Sequence, residues 1–313
     1  MSVEGRTDVS AHTYPPAGGD PALRGYAGAY PAVTWPGGAR VAVSFVLNVE
    51  EGAQFALSHG DERNESVHEV KRDLAGVPDL NMTSHFAYGA RAGYWRVTNL
   101  LHAAGAGLTL NVCGRALEAT PWVGADARER GFEITAHGWR WEAHSGMDEA
   151  TERAVIARTV AAIERHWGER PRGWHTRASA SVNTRRLLVE AGFDYDSDAY
   201  DDDCPHYVAV NGRPHLVLPY SFDTNDMRFF DSHAFVQAED FARYVCGAYD
   251  TLWSEGASAP RMMTVGLHSR IIGRPGRIGA LRLILDHLRT RGGAWLARRG
   301  DIARHWRAHC PPA

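Results

Sequence analysis

The chain has 313 residues, enough for one large α/β barrel or two modest domains, and its 44% apolar content is ample for a proper core. With 34 basic against 37 acidic residues and a formal net charge of −3, both signs interleaved, it lacks the electrostatic footprint of a nucleic-acid or acidic-membrane binder. No run approaches the roughly 20 apolar residues that span a bilayer, and Met1 to Gly19 lacks a charged segment followed by an apolar one, so a cytoplasmic protein is expected.

Residues 1–35 are rich in Gly, Pro, Ala and Tyr without a sustained period and read as an extended arm over the body or as disorder; the body is assigned to 36–313. From Arg40 onward short strands and helices are predicted in turn. Strand-like Val41 to Leu47 precedes helical spacing over Tyr94 to Ala104, strand-like Leu108 to Cys113 and a short strand over Gly131 to Ala136. Asp148 to Trp167 is helical, Gly173 to Thr176 extended, Thr184 to Ala191 helical and Leu216 to Leu218 strand-like. Helical Ala238 to Trp253, strand-like Met262 to Leu267, helical Ile278 to Arg289 and a last helix near Asp301 to Arg307 complete the pattern. Such alternation argues for a parallel sheet, closed or open, and in parallel barrels the chemistry gathers where polar residues abruptly follow an apolar strand.

Three such junctions stand out. Asn48-Val49-Glu50-Glu51-Gly52 places two adjacent carboxylates after an apolar strand, where one can act as general base while the other orients a donor, binds a cation or raises its neighbour's pKa; an ordinary solvated acidic turn has the same sequence. His137-Gly138-Trp139-Arg140-Trp141 occupies the place of a metal-binding His-x-x-x-His but carries only its first histidine, and His137 alone is as readily a hydrogen-bonded structural residue. His268 closes the run Met262 to Leu267, where an imidazole of near-neutral pKa suits proton donation to a leaving nitrogen. The arginines that follow, Arg270 and Arg274 among them, can bind a carboxylate or ureido oxygen, or hold a subunit interface or helix start.

Other segments say less. Cys113, Cys204, Cys246 and Cys310 lack Cys-x-x-Cys spacing, so neither a disulfide framework nor a thiolate zinc site is expected. Schiff-base chemistry would have to run through Lys71, the sole lysine, and is set aside. The acidic run Asp194 to Asp203 lacks the glycine and terminal glutamate of a twelve-residue calcium loop and reads as structural. The polar loop Pro219 to Asp226, with Asn225, either lines a pocket or caps a turn.

Taken together the chain resembles the polysaccharide-deacetylase (NodB-homology) superfamily, and most closely its allantoinase branch of purine catabolism. The resemblance runs from about Trp35-Pro36-Gly37-Gly38 to the C-terminus and rests on the three junctions above with Tyr88-Gly89-Ala90-Arg91, Asp196-Ser197-Asp198, Asp223-Thr224-Asn225-Asp226-Met227-Arg228-Phe229 and Gly266-Leu267-His268-Ser269-Arg270. It implies a distorted (β/α) barrel with fewer than eight strands, often a homotetramer, acting on a small-molecule substrate. Matched by motif, Glu50 takes the base position, Glu51 the metal-ligand position, His137 the first histidine, Trp141 the lost second one and His268 the general acid. The allantoinase branch shows the same loss and is metal-independent, so no cofactor is expected, while Glu51 and His137 leave a divalent metal such as zinc open if a third donor such as His175 joins them. Arg91, His137, Trp141, His175, Asn225, Arg270 and Arg274 are the expected substrate contacts. The sequence departs from the branch at Ala87 and Thr83, where carboxylates are usual, and at His175, with a glycine missing beside it. Loss of carboxylates that accept ureide N–H bonds lowers affinity for allantoin itself.

The leading expectation is therefore a hydrolase of a non-peptide C–N bond in a cyclic amide or ureide, with Glu50 or Glu51 activating water and His268 protonating the departing nitrogen. Two alternatives stand beside it: a biosynthetic amide hydrolase or cyclase for a specialised metabolite, and a catalytically inactive binding barrel.

Overall fold

A computed structural model describes residues 21–69, 73–231 and 234–312. Most of the N-terminal arm, residues 1–20, and Lys71 fall outside the described residues. After the short helix α1 (Pro21–Arg24), the body opens with β1 (Val41–Val49), whose nine residues are all buried. A run apolar on both faces is what a central parallel strand covered on each side requires. Then follow α2 (Leu80–Tyr88), α3 (Tyr94–Ala103), β2 (Leu108–Val112), α4 (Gly114–Ala119), α5 (Trp122–Arg130), β3 (Glu133–Ala136), α6 (Glu149–Trp167), β4 (Gly173–Trp174), α7 (Thr184–Glu190) and β5 (Tyr195–Asp196). The second half contains β6 (His206–Val210), β7 (Arg213–Val217), α8 (Ala238–Glu255), β8 (Arg261–His268), α9 (Gly279–Arg291), β9 (Ala294–Leu296) and α10 (Arg299–His309).

Seven strands follow one another in parallel in the order β7-β5-β4-β3-β2-β1-β8, curled as a distorted barrel, and β9 adds an eighth parallel strand beside β1. The sheet reaches nine because β6 adds an antiparallel hairpin arm to β7 and β9 pairs with Val41 to Val43 at the base of β1. Closure depends on the chain beyond β7, which returns to β8 through a single parallel bridge between Asn225 and Gly266. The polar loop of residues 219–226 is thus the seam of the barrel. It sits at the C-terminal end of the strands, where β1, β3, β4 and β8 also deliver Glu50, His137, His175 and His268.

Local signals position these elements. α6 starts at Asp148, whose carboxylate accepts the Thr151 N–H at 2.9 Å, and ends at Gly168 in the left-handed region (φ 90). Between α2 and α3 the helix widens into one π-turn, Gly89–Gly93. Its two glycines are there for contact: a Cβ on Gly89 would lie 1.9 Å from Glu51 Oε1, and one on Gly93 1.9 Å from the Ser269 carbonyl oxygen. The π-turn therefore presses bare backbone against the strand ends that carry the acidic pair and His268.

The described part of the arm is fixed to the body. Trp35 is buried, donates its indole N–H to the Arg261 carbonyl at 2.9 Å, and packs against Trp295 and Trp306 at the base of the barrel. No described helix is long and apolar enough to cross a membrane.

Candidate active site

A cavity of about 420 Å³ opens at the C-terminal ends of the strands, and Glu50, His137, Trp141, His175, Asn225 and His268 all line it. At its floor Glu50 is buried and divides its two oxygens. Oε2 accepts from Arg270 Nη1 at 2.5 Å. Oε1 lies 3.4 Å from His137 Nε2 and 3.6 Å from His268 Nε2, without a completed hydrogen bond to either. Burial alone pushes the Glu50 carboxyl up, but the Arg270 guanidinium, then His268 and His137, overcome it and hold the acid well below the usual carboxylate range.

His268 is oriented from behind. Asp226 Oδ1 accepts from its Nδ1 at 2.6 Å, while Oδ2 accepts the backbone N–H groups of His268 and Ile272 at 2.8 and 3.1 Å. The fixed Nδ1–H directs Nε2 toward Glu50. Burial opposes a charge on the ring, yet the Glu50 and Asp226 carboxylates outweigh it and raise His268 above its ordinary value of 6.5. Asn48 lies beside Nε2 at 3.4 Å and bonds Tyr220 Oη at 3.1 Å. Its own carbonyl receives the Asn111 amide at 3.0 Å, so a polar chain runs across the strand ends.

His137 and His175 form the opposite wall. His137 Nδ1 donates to the His175 carbonyl at 2.5 Å, which aims Nε2 at Glu50, and the two rings stack with centroids 5.3 Å apart. His175 also stacks on Tyr220 at 4.2 Å and bonds Asp198 at 3.1 Å. Burial is the main reason its pKa falls, against the pull of Asp198.

Four candidates do not line the cavity. Glu51 is buried but turns toward Gly89, accepting the Glu50 N–H at 3.1 Å, and does not line the cavity. Burial in that setting, opposed by Arg270 and reinforced by Glu50, pushes its carboxyl up to about 7. Arg274 stacks on Tyr88 at 3.6 Å and bonds His85 at 2.8 Å, away from the cavity. Arg91 is exposed on the π-turn. Arg270 is fully buried behind Glu50, bridging it to Glu69 at 2.7 Å, so it holds the carboxylate rather than facing the cavity. Sequence reasoning passed over Asp226, Asp198, Tyr220, Arg177 and the Tyr200–Phe222 pair. Asp226 and Asp198 lay inside motifs already noted, and partners for two strand-end histidines could have been sought there.

This geometry has recognisable relatives. A family model described as Polysaccharide deacetylase matches residues 78–195. A Schizosaccharomyces pombe protein described as a putative polysaccharide deacetylase is 36% identical over 300 residues, covering 88% of this chain and 93% of that protein. The chain belongs to the polysaccharide deacetylase family. Within this family the crystal structure of PuuE allantoinase superimposes with a TM-score of 0.89 at 42% identity, over 93% of this chain and 98% of the other. A probable polysaccharide deacetylase from Pseudomonas aeruginosa PAO1 gives 0.89 at 41% identity, over 93% and 99%. A putative polysaccharide deacetylase from Mycobacterium smegmatis gives 0.74 at 26%, over 89% and 94%.

The donors present do not fit the metal of the metal-dependent deacetylases. Among the described residues no group of three or more His, Cys, Asp or Glu is placed to hold an ion. The position of the second histidine carries an indole covered by the Arg177 guanidinium at 3.8 Å, and Glu51 is turned away. Arg270 already sets a fixed cation against Glu50, and a divalent ion at that carboxylate would be repelled by it.

Proposed function

We propose that this deacetylase-family chain is a hydrolase of a non-peptide C–N bond, acting on a cyclic amide or ureide through Glu50 and His268. The observation that carries the reading is the facing pair: Glu50 Oε1 and His268 Nε2, 3.6 Å apart at the cavity floor, the histidine held from behind by Asp226. Glu50 is biased to the carboxylate and His268 to the imidazolium. That is the starting protonation a base-plus-acid hydrolysis needs. In the forward step Glu50 Oε1 accepts a proton from water as the water oxygen attacks the carbonyl carbon. His268 Nε2 then delivers its proton to the nitrogen as the C–N bond breaks, leaving a carboxylic acid and an amine or urea nitrogen.

The depressed Glu50 pKa makes it a weak base, so positioning has to compensate. Arg270 fixes one oxygen and leaves the other aimed between two imidazoles, which orients the attacking water rather than merely accepting its proton. The His137 ring, its Nδ1–H engaged by the His175 carbonyl, presents Nε2 as a second contact for that water. Allantoin is one member of the substrate class that the PuuE likeness suggests; the altered positions Ala87 and His175 favour a different one.

The test is a panel of allantoin, hydantoins, dihydropyrimidines and cyclic imides with the wild type, Glu50→Gln and His268→Asn. Each substitution is expected to lower kcat/KM on the preferred compound about 10²- to 10⁴-fold. A Glu50→Gln variant with full activity would remove Glu50 from the base role, and no turnover of any member would defeat the C–N hydrolase reading.

A further inference from the structure

We propose that Arg177, with Arg228, makes this cavity selective for a planar substrate that carries a carboxylate apart from the bond being cut; this deepens the hydrolase reading and rests on it. Both guanidiniums line the same cavity as Glu50 and His268. Arg177 sits over the Trp141 ring at 3.8 Å and forms an ion pair with the buried Glu65 carboxylate at 3.8 Å, beyond hydrogen-bond distance. Arg228 rests against Phe235 and Tyr244 and is 3.8 Å from Asp231. Neither guanidinium donates a hydrogen bond to a described residue. Glu50, His137, His175 and His268, by contrast, are each tied to a protein partner. A guanidinium presents a rigid fork of N–H donors matched to a carboxylate, and stacking on an indole holds that fork in place while leaving its edge free.

A strained backbone holds this arrangement. Ala178, next to Arg177 and itself lining the cavity, sits in the left-handed region at φ 58, which a residue with a Cβ rarely adopts. Among the described residues, Ala27, Ala178 and Asn211 are the non-glycine residues with positive φ, and of these only Ala178 lines this cavity. Strain kept at a binding wall is a mark of function. The remaining wall suits a flat ring: Tyr200 and Phe222 stack at 3.7 Å, and Phe222 is 66% exposed. An exposed aromatic pair at a cavity wall offers a face for a planar group.

The experiment uses matched probes on the intact protein: hydantoin against hydantoin-5-acetate, and dihydrouracil against dihydroorotate. Affinity is read by calorimetry and turnover separately, so that binding is scored even if nothing is cut. The expected result is about ten- to hundredfold tighter binding of the carboxylate-bearing member of each pair, reduced to near parity in Arg177→Gln and weakened in Arg228→Gln. Ala178→Gly should melt no lower than the wild type yet lose part of the preference, since glycine relieves the strain and loosens the placement of Arg177. Equal binding of neutral and anionic members by the wild type, or a preference that survives Arg177→Gln in a folded variant, overturns the proposal. Preferential binding without turnover upholds it while defeating the hydrolase reading.

Discussion

In the proposed hydrolysis His268 couples the chemistry to pH, because its charge is decided by two carboxylates, one in the cavity and one behind the ring. The sign follows from the direction of the shift. A histidine raised by Glu50 and Asp226 stays protonated above its ordinary 6.5, so an imidazolium acid is available below the raised pKa and is lost as pH climbs through it. Glu50 is held down and supplies no acid limb in the accessible range. kcat/KM should therefore show a single descending limb on the alkaline side. Asp226→Asn keeps an oxygen for the backbone N–H groups but removes a charge, and the limb should move to lower pH; an unmoved limb in the variant would exclude His268 as the titrating acid. Glu51, beside them, acts on stability. Its folded-state pKa of about 7 against 4.5 unfolded means the folded chain binds the extra proton between those values. That stabilisation is complete below about 4.5 and disappears as pH rises through about 7, a swing of at most about 3 kcal/mol. Glu51→Gln should be stabilised relative to wild type above pH 7, with the difference vanishing toward pH 4.5, as read from denaturant midpoints at each pH.

At the scale of elements, the loop after β3 carries His137 and Trp141, and what holds it is a buried carboxylate on a helix. Glu152 of α6 bonds His144 Nδ1 at 2.9 Å and accepts from Ser181 Oγ at 2.5 Å and from the Thr184 hydroxyl, tying together that loop, the loop after β4 and the start of α7. Removing such a hub leaves several buried polar groups unpaired. Glu152→Ala is expected to cost about 3 kcal/mol in chemical denaturation and to lower kcat/KM although no atom of Glu152 reaches the cavity. The elements themselves were largely legible: β1 and β8 are continuous apolar runs, and α6 announces both ends with Asp148 and Gly168. Glu50, His137 and His268 were legible because each abruptly follows such a strand. Their partners were not, because Asp226 is 42 residues from His268 and Arg270 is 220 from Glu50, and only the closed sheet brings them together. Arg91 shows the opposite failure. Its motif does sit against the site, but the π-turn presents Gly89 and Gly93 inward and leaves the arginine exposed, a change of helical register that side-chain spacing cannot reveal.

Across the whole molecule the two ends of the barrel divide the work. The C-terminal end holds the cavity, the two guanidiniums without a side-chain hydrogen bond to a described residue, and Ala178 in its left-handed conformation. The base is filled by apolar and aromatic contacts around Trp35, Trp295, Ile302 and Trp306. Between them Arg299, fully buried, donates to Ser197, Thr264 and the carbonyls of Leu218 and Pro219, so the interior is joined by a polar clamp rather than left as a channel. Trp35 is the test of this division, because it reaches the base from outside the sheet and contributes both a large ring and the hydrogen bond to Arg261. Truncating a buried tryptophan typically costs about 3–5 kcal/mol. Trp35→Ala should lower the denaturation midpoint by a corresponding amount, while kcat/KM per folded molecule stays at the wild-type value, since no residue of the Trp35 cluster lines the cavity. Glu50→Gln should instead lose turnover per folded molecule, with a loss of stability of its own because the buried Arg270 keeps only Glu69 as a hydrogen-bonded carboxylate. A Trp35→Ala protein that remained folded but lost activity would show that the base sets the geometry of the strand ends, and the separation of stability from chemistry along the barrel axis would have to be abandoned.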